Sequence, residues 1–328
     1  MKVKNLIFLV LALVLAFSVT ACKSNNNTNE HKQAGTEVSS VAETSGASQA
    51  AAVSDSQPAQ SAVSETQQAT KRDLPSKESI SFDSSWEYGD YSIIHTDSAT
   101  LYRSRADKLK NKVICVNAGH GCKGGSSVKT FCHPDKTPKV TGGSTAAGSI
   151  KATSISEGTV LKDGTEEADA NLALAKILKN VLLENGYDVL MIRENTNTQL
   201  DNIARTLIAN NNADCHISLH YDSSTNDKGL FFIGVPDIKS YRNMEPVKSH
   251  FEEHTRLGES IVEGERRAGV KIYRDGRMDI DLTQTSYSTV PSVDIEVGDE
   301  GSDHSLEQHK KLAEGMLTGI DIYFGFQQ

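Results

Sequence analysis

VICVNAGHG, residues 113–121, is the stretch on which the reading of this chain turns. Val113, Ile114, Cys115 and Val116 form a short apolar run rich in strand formers, which breaks at Asn117, Ala118 and Gly119. His120 is therefore expected just past the end of a buried strand. A second run, CHISL at 215–219, ends in the same way on His220. Between the two, Glu167 lies in the first turn of a strongly patterned helix. Two histidines and one carboxylate match the protein ligand set of catalytic zinc sites that keep a fourth position open for water.

Working outward, the helix is expected over 166–185, with Thr165 able to cap it, acidic residues in its first turn and Gly186 after its end. Glu167, Asn171, Leu174, Leu178 and Leu182 recur at spacings of three and four and so share one face. A carboxylate at the top of an apolar stripe needs a partner, because a lone buried charge is costly. A strand follows at 188–192, then a helix at 198–212 and the strand that ends at His220. Another strand is expected at 229–235, and a helix at 249–268. A further strand, SVDIE, ends at Glu296, and an amphipathic helix over 305–324 closes the chain, with Leu306, Leu312, Met316 and Ile320 available to the core. Successive strand–helix–strand units predict an α/β fold, a single domain with a mostly parallel twisted sheet and helices on both faces. In such sheets ligands lie beyond the carboxyl ends of the strands. His120, His220 and Glu296 each end a predicted strand, and Glu167 faces the same rim.

The flanks read differently. Lys2 and Lys4 precede an apolar run at 6–17 that is too short to span a bilayer, so residues 1–21 read as a signal peptide. Val19-Thr20-Ala21-Cys22 resembles a bacterial lipobox, which implies a lipid on Cys22 and attachment to the outer face of the cell membrane. Residues 22–78 are rich in Ser, Thr, Ala and Gln, cannot bury a core, and read as a disordered linker. About 50 residues of flexible coil span roughly 40 Å. Residues 79–111, with the only tryptophan, Trp86, read as a lead-in segment packed on the domain edge, and the catalytic domain as 112–328. Within it, 122–164 is an insertion rich in Gly, Ser, Thr and Lys, without periodicity; loops of that length are usually functional or mobile.

The formal net charge is −9, or −11 without the first 21 residues, which carry only Lys2 and Lys4. With no basic block, nucleic acid is not an expected partner, and a monomer is expected. Cys115 and Cys215 lie inside strand runs and read as buried thiols. Cys122 and Cys132 allow two readings, a mutual bridge or, with His133, a small metal site. His216 lies four residues before His220, about 13 Å along a strand, too far to share its metal. It reads as a core or edge histidine. His304 and His309 read as capping or surface residues, and His250 and His254 as part of a solvated helix face. Arg193 and Arg205 are candidates for orienting carboxylates or binding substrate, against the commoner reading of surface charge.

Taken together these motifs resemble the zinc-dependent N-acetylmuramoyl-L-alanine amidase family. The strand and GHG turn stand as CVNAGHGC at 115–122, the helix start as Glu167-Ala-Asp-Ala-Asn171-Leu172, and the strand end as Ser218-Leu219-His220. Arg205-Thr-Leu-Ile-Ala209-Asn210 and Pro291-Ser-Val-Asp-Ile-Glu296 complete the set, in the family's order over 112–325. The resemblance implies that His120, Glu167 and His220 bind Zn2+, that Glu296 is the catalytic carboxylate, and that the substrate is peptidoglycan. The bond cut would be the amide between N-acetylmuramic acid and L-alanine of the stem peptide. Glu300 is a second acid nearby; Glu296 is preferred because it ends the strand. Alternative readings are another zinc amide hydrolase or peptidase of the stem peptide, or an inactive wall- or solute-binding lipoprotein.

Overall fold

The computed structural model of this chain describes residues 76–326, all within one compact unit. The expected signal peptide, the lipid on Cys22 and the linker up to residue 75 lie outside them. The described chain begins with β1 (Lys77–Ser81) and β2 (Ser98–Tyr102), then β3 (Val113–Ala118). The insertion carries β4 (Lys129–Phe131) and β5 (Lys151–Thr153), and α1 (Glu167–Glu184), β6 (Asp188–Met191), α2 (Asn202–Asn212) and β7 (Cys215–Asp222) follow. Then come β8 (Leu230–Gly234), the short α3 (Lys239–Arg242) and α4 (Val247–Arg267). The remaining elements are β9 (Ile272–Asp279), the short α5 (Thr283–Tyr287), β10 (Ser292–Asp299) and α6 (Leu306–Phe324).

Eight strands form one sheet in the order β1-β2-β6-β3-β7-β10-β8-β9, while β4 and β5 pair as a separate ribbon. The four central strands, β6, β3, β7 and β10, run parallel. The flanks do not follow them: β2 pairs antiparallel with β6, and β8 antiparallel with β10. Four of the seven strand pairings are parallel, as the expected mostly parallel sheet requires, and the three antiparallel ones make the sheet mixed towards its edges. The connection from β7 to β8, residues 223–229, is too short for a crossover helix and must reverse direction. The lead-in segment packs at the edge of the domain as β1 and β2, the two outermost strands on one side of this sheet, and β1 takes in Lys77 and Glu78, which were expected in the linker.

Alternation along the strands sorts the side chains between two layers. Val116, Ile217, Leu219, Val293 and Ile295 face the core that buries Leu174, Leu178 and Leu182 of α1, Leu257 and Ile261 of α4, and Leu312, Met316 and Ile320 of α6. On the other face Cys115, Leu190 and Ile192 pack on Ala204 and Ile208 of α2. Strand β9 was not expected, because Arg274, Asp275, Arg277 and Asp279 hide its alternation; it pairs only with β8, and edge strands tolerate charge. Helix α2 starts later than expected, with the Asp201 side chain accepting from the Ala204 amide. Glu166, not Thr165, is the N-cap of α1 and makes no side-chain cap, whereas Ser305 caps α6 through Gln308 N. Leu306 is 62% exposed and does not join the core.

Helices α4 and α6 meet closely enough that a Cβ on Gly315 would lie 2.2 Å from Glu265 Oε2. Glu265 is fully buried there, and neither carboxylate oxygen has a hydrogen-bond partner among the described residues. Burial pushes its carboxyl well above the usual range, against a smaller opposing effect of Lys311. A carboxyl whose folded pKa is raised binds its proton more tightly in the native state, so its contribution is intact below the unfolded pKa and is lost as pH rises. Replacing Glu265 with Gln should therefore raise the thermal midpoint at neutral pH. On acidification the free-energy gap to wild type should narrow by about 1.4 kcal/mol per pH unit while the native carboxyl is protonated and the unfolded one still ionised, and stop changing once the unfolded carboxyl protonates as well. Identical pH dependence of the two midpoints would show that Glu265 is solvated in the native protein.

Candidate metal centre

The centre is built at the carboxyl ends of β3 and β7. After Ala118 the chain turns through His120 at φ 63° and Gly121 at φ 71°. A left-handed non-glycine residue is a backbone expense met mostly at functional sites. Two arginines hold this turn by its carbonyls. Arg193 donates to Ala118 O and Gly119 O, both at 2.8 Å, and to Ala168 O at 2.6 Å. Arg205 donates to Ala118 O at 3.1 Å and His120 O at 2.7 Å, and reaches Asn117 Oδ1 at 3.1 Å. Each is 1% exposed, so neither is the surface charge that an arginine usually is. Their guanidinium forks match a fan of carbonyl acceptors, which is how a buried charge is tolerated.

Within this frame three donor atoms converge. His120 Nε2 lies 2.8 Å from Glu167 Oε1, and His220 Nδ1 lies 3.0 Å from each of them. Among the described residues this is the one group of three or more potential ligands close enough to share an ion. The structure thus brings together the three residues expected from the sequence. The donor chemistry fits a divalent cation. His120 Nδ1 lies 2.9 Å from Ser156 O, which can only accept, so the ring proton is at Nδ1 and Nε2 presents a lone pair. That lone pair faces a carboxylate oxygen and a second imidazole nitrogen, and a single proton cannot satisfy all three. Glu167 is held by Tyr221 N at 3.1 Å on Oε1 and by Thr159 N at 2.8 Å on Oε2.

Electrostatics agree with that arrangement. Burial works against ionisation of Glu167, but His120 and His220 overcome it and hold the carboxyl far below the usual range. Burial likewise opposes charge on His220, yet Asp294, Glu167 and Glu296 raise it to about 10. A cation binding at Nδ1 therefore has to displace a proton, and affinity should fall with acidity.

The insertion supplies half of the surroundings. Ser156 orients His120, the Thr159 amide holds Glu167, and Gly158 lies flat on both: a Cβ there would be 2.8 Å from His120 Cδ2 and 2.9 Å from Glu167 Oε2. Its far end is tied down by Asp281, which is buried and accepts from Lys139 Nζ at 2.7 Å, Val140 N at 2.6 Å and Thr141 N at 3.0 Å. The resulting cleft of about 710 Å³ is lined by His120, Glu167 and His220, by residues of β7 and β10, by the segment 280–284 and by the insertion. Cys122 and Cys132 are both free and buried, so the bridge is not formed. His133 is spent on Thr137 Oγ1 and Asp281 Oδ2, each at 3.1 Å, which removes the second, Cys/His metal reading.

Glu296 lies opposite His220 in the parallel register of β7 and β10 and lines the cleft. Burial, then the charge of Asp294, push its carboxyl well above the usual range, against a smaller pull from His220. A divalent cation on the triad would draw it back down. Glu300, the rival acid, is instead bonded to the Thr159 hydroxyl and does not line the cleft. Asp294, on the same strand face as Glu296, also lines the cleft and was not singled out in the sequence, though its spacing of two from Glu296 was a signal. Three other histidines depart from expectation or confirm burial. His254 and His309 are each 3% exposed, bonded to Ser292 N and the Tyr221 hydroxyl, where surface positions were expected. His216 is a core residue with no exposure.

An α/β sheet that gathers two histidines and a glutamate at its carboxyl rim, with a further acid beside them, presents a candidate metal centre of the composition that catalytic metal sites of hydrolases use. The sequence profile of the N-acetylmuramoyl-L-alanine amidase family matches residues 114–321, well over half of the chain, and the chain belongs to that family. Membership makes it an amide hydrolase of peptidoglycan. The fold is similar to that of the amidase Ami1 from Mycobacterium smegmatis, with a TM-score of 0.53 at 18% identity over 67% of this chain and 100% of that one. It is similar also to the apo form of Ami1 from Mycobacterium abscessus, with a TM-score of 0.50 at 19% identity over 66% of this chain and 99% of that one. No curated protein sequence matches. Among the described residues no helix is long and apolar enough to cross a membrane.

Proposed function

We propose that the protein is a zinc-dependent N-acetylmuramoyl-L-alanine amidase in which His120, Glu167 and His220 hold the ion and Glu296 carries the proton. The observation that supports this most is the convergence of one carboxylate oxygen and two imidazole nitrogens within 3.0 Å of one another in the lining of the cleft. A bound zinc ion polarises an amide carbonyl and acidifies water. Glu296 would take the proton from the attacking water and pass it to the leaving amide nitrogen. Residues of the insertion and of the strand ends both line the cleft, so the same reading has both contact the glycan and stem peptide.

The same reading has the chain exported and tethered by a lipid on Cys22, with the residues between Cys22 and β1 as the leash that lets the domain reach the wall. Support for that part is the charged, apolar and small-residue succession over residues 1–22. The test is digestion of purified peptidoglycan by the zinc-loaded protein. Stem peptides bearing a new alanine amino terminus are expected. Fragments cut within the peptide, with the lactyl amide intact, would replace this assignment by a peptidase.

A further inference from the structure

The cleft holds a second strand carboxylate for which the proton transfer has no use. Asp294 is paired in register with Ser218, two pairs behind the Glu296–His220 pair and so on the same, cleft-lining face of the sheet. Ser218 is already engaged: its hydroxyl donates to Gln284 Oε1 and accepts from Asn117 Nδ2 at 2.9 Å. It offers Asp294 no proton. Asp294 Oδ1 is buried and without a hydrogen-bond partner among the described residues, and Oδ2 lies 3.6 Å from His220 Nε2. That imidazole is the one basic group within ion-pair reach of Asp294 among the described residues.

The two ring nitrogens of His220 thus face different partners. Nδ1 points to Glu167 and His120, and Nε2 to Asp294. A neutral imidazole carries a single N–H. If Nδ1 gives its lone pair to a cation, that proton must be on Nε2, facing the Asp294 carboxylate. A carboxylate on the far side of a metal-binding histidine selects the tautomer, holds the ring plane and makes the ligating nitrogen more basic. At 3.6 Å the contact is electrostatic rather than a full hydrogen bond.

We infer that Asp294 is a positioning residue for the metal centre, its carboxyl facing Nε2 and so holding the His220 ring with Nδ1 toward the ion. The inference rests on the metal-binding reading of the triad. It gives the two carboxylates of the strand separate tasks, Glu296 toward the substrate and Asp294 toward the histidine.

The test measures zinc dissociation constants by competition with a chromophoric chelator for wild type, Asp294→Ala and Asp294→Asn. Alongside it, the imidazole ¹⁵N spectrum of His220 in the zinc-loaded proteins reports the tautomer. Loss of the carboxylate should weaken zinc 10- to 100-fold, the range found for such supporting partners. The His220 Nε2–H signal should shift as well. Asp294→Asn, which keeps an accepting oxygen, should lose less than Asp294→Ala, and it carries the test should the alanine variant fail to fold. A merely structural role would lower the thermal midpoint of the metal-free protein and leave both readouts in place, which overturns the assignment. Tight zinc in wild type with unchanged affinity in the variants overturns it alone, whereas wild type that takes up no zinc overturns the metal reading as well.

Discussion

Glu296→Gln should release no measurable stem peptide from purified peptidoglycan while the protein still holds its metal. Gln has the shape of Glu but cannot accept and return a proton, so the change removes the transfer and little else. Positioned general acid–base groups contribute about 10²- to 10⁴-fold, and the loss should fall at the upper end because one carboxyl serves both water and leaving group. Metal binding should survive because Glu296 is not one of the three converging ligands. The alternative acids provide the controls. Glu300→Gln should retain most activity, since Glu300 is bonded to the Thr159 hydroxyl and stands off the cleft. Initial rates on labelled peptidoglycan, with metal content measured on the same samples, decide the matter. Undiminished activity in Glu296→Gln removes that residue from the mechanism.

The second large effect comes from a single methyl group. Gly119→Ala should abolish the metal centre without unfolding the domain. Its Cβ would lie 2.2 Å from Cε1, 2.4 Å from Nε2 and 2.6 Å from Nδ1 of His220, so the ring cannot remain where it is. The Gly119 backbone is not left-handed, and alanine is allowed there on conformational grounds. Only the imbricated His220 ring forbids it. A displacement of about 1 Å at such a centre is enough for a loss of about 10²-fold, and zinc affinity should fall at least that far. Gly124→Ala is the opposite case, with φ +82° but nothing within 4 Å of the added Cβ. It should cost about 1 kcal/mol of stability through backbone strain and leave the metal in place. Chelator competition on both variants, with circular dichroism as the folding control, separates space from strain. Equal zinc affinity in Gly119→Ala and wild type would mean that His220 ligates from a different position.

Several features of the site were legible because they depend on local periodicity. An apolar run that stops at a histidine, twice, brings both imidazoles to the carboxyl rim, although β7 runs on past His220 to Asp222, and Glu167 shares the stripe of Leu174, Leu178 and Leu182, which forces it inward toward a partner. Those constraints act over a few residues and need no knowledge of the partner. Where such regularity fails, so does the reading. Strand β9 alternates charged residues because one of its edges meets no neighbour, and β8 reverses because its connection is short. His254 and His309 sit among polar neighbours in sequence yet are buried by contacts with Ser292 and Tyr221 from distant segments.

The parallel centre of the sheet and the gathering of His120, Glu167, His220 and Glu296 on one rim were legible in the sequence, since each follows from hydrophobic periods and the ends of apolar runs, although β10 itself continues past Glu296 to Asp299. The tertiary structure decided what surrounds them. The burial of Arg193 and Arg205 under the His120 turn, the closure of the centre by Ser156, Gly158 and Thr159, and the approach of Asp294 to His220 all join residues tens of positions apart. Such contacts are set by how layers stack and where an insertion is tied down. A one-dimensional pattern carries the direction in which a side chain leaves its own element, but not the identity of what it meets.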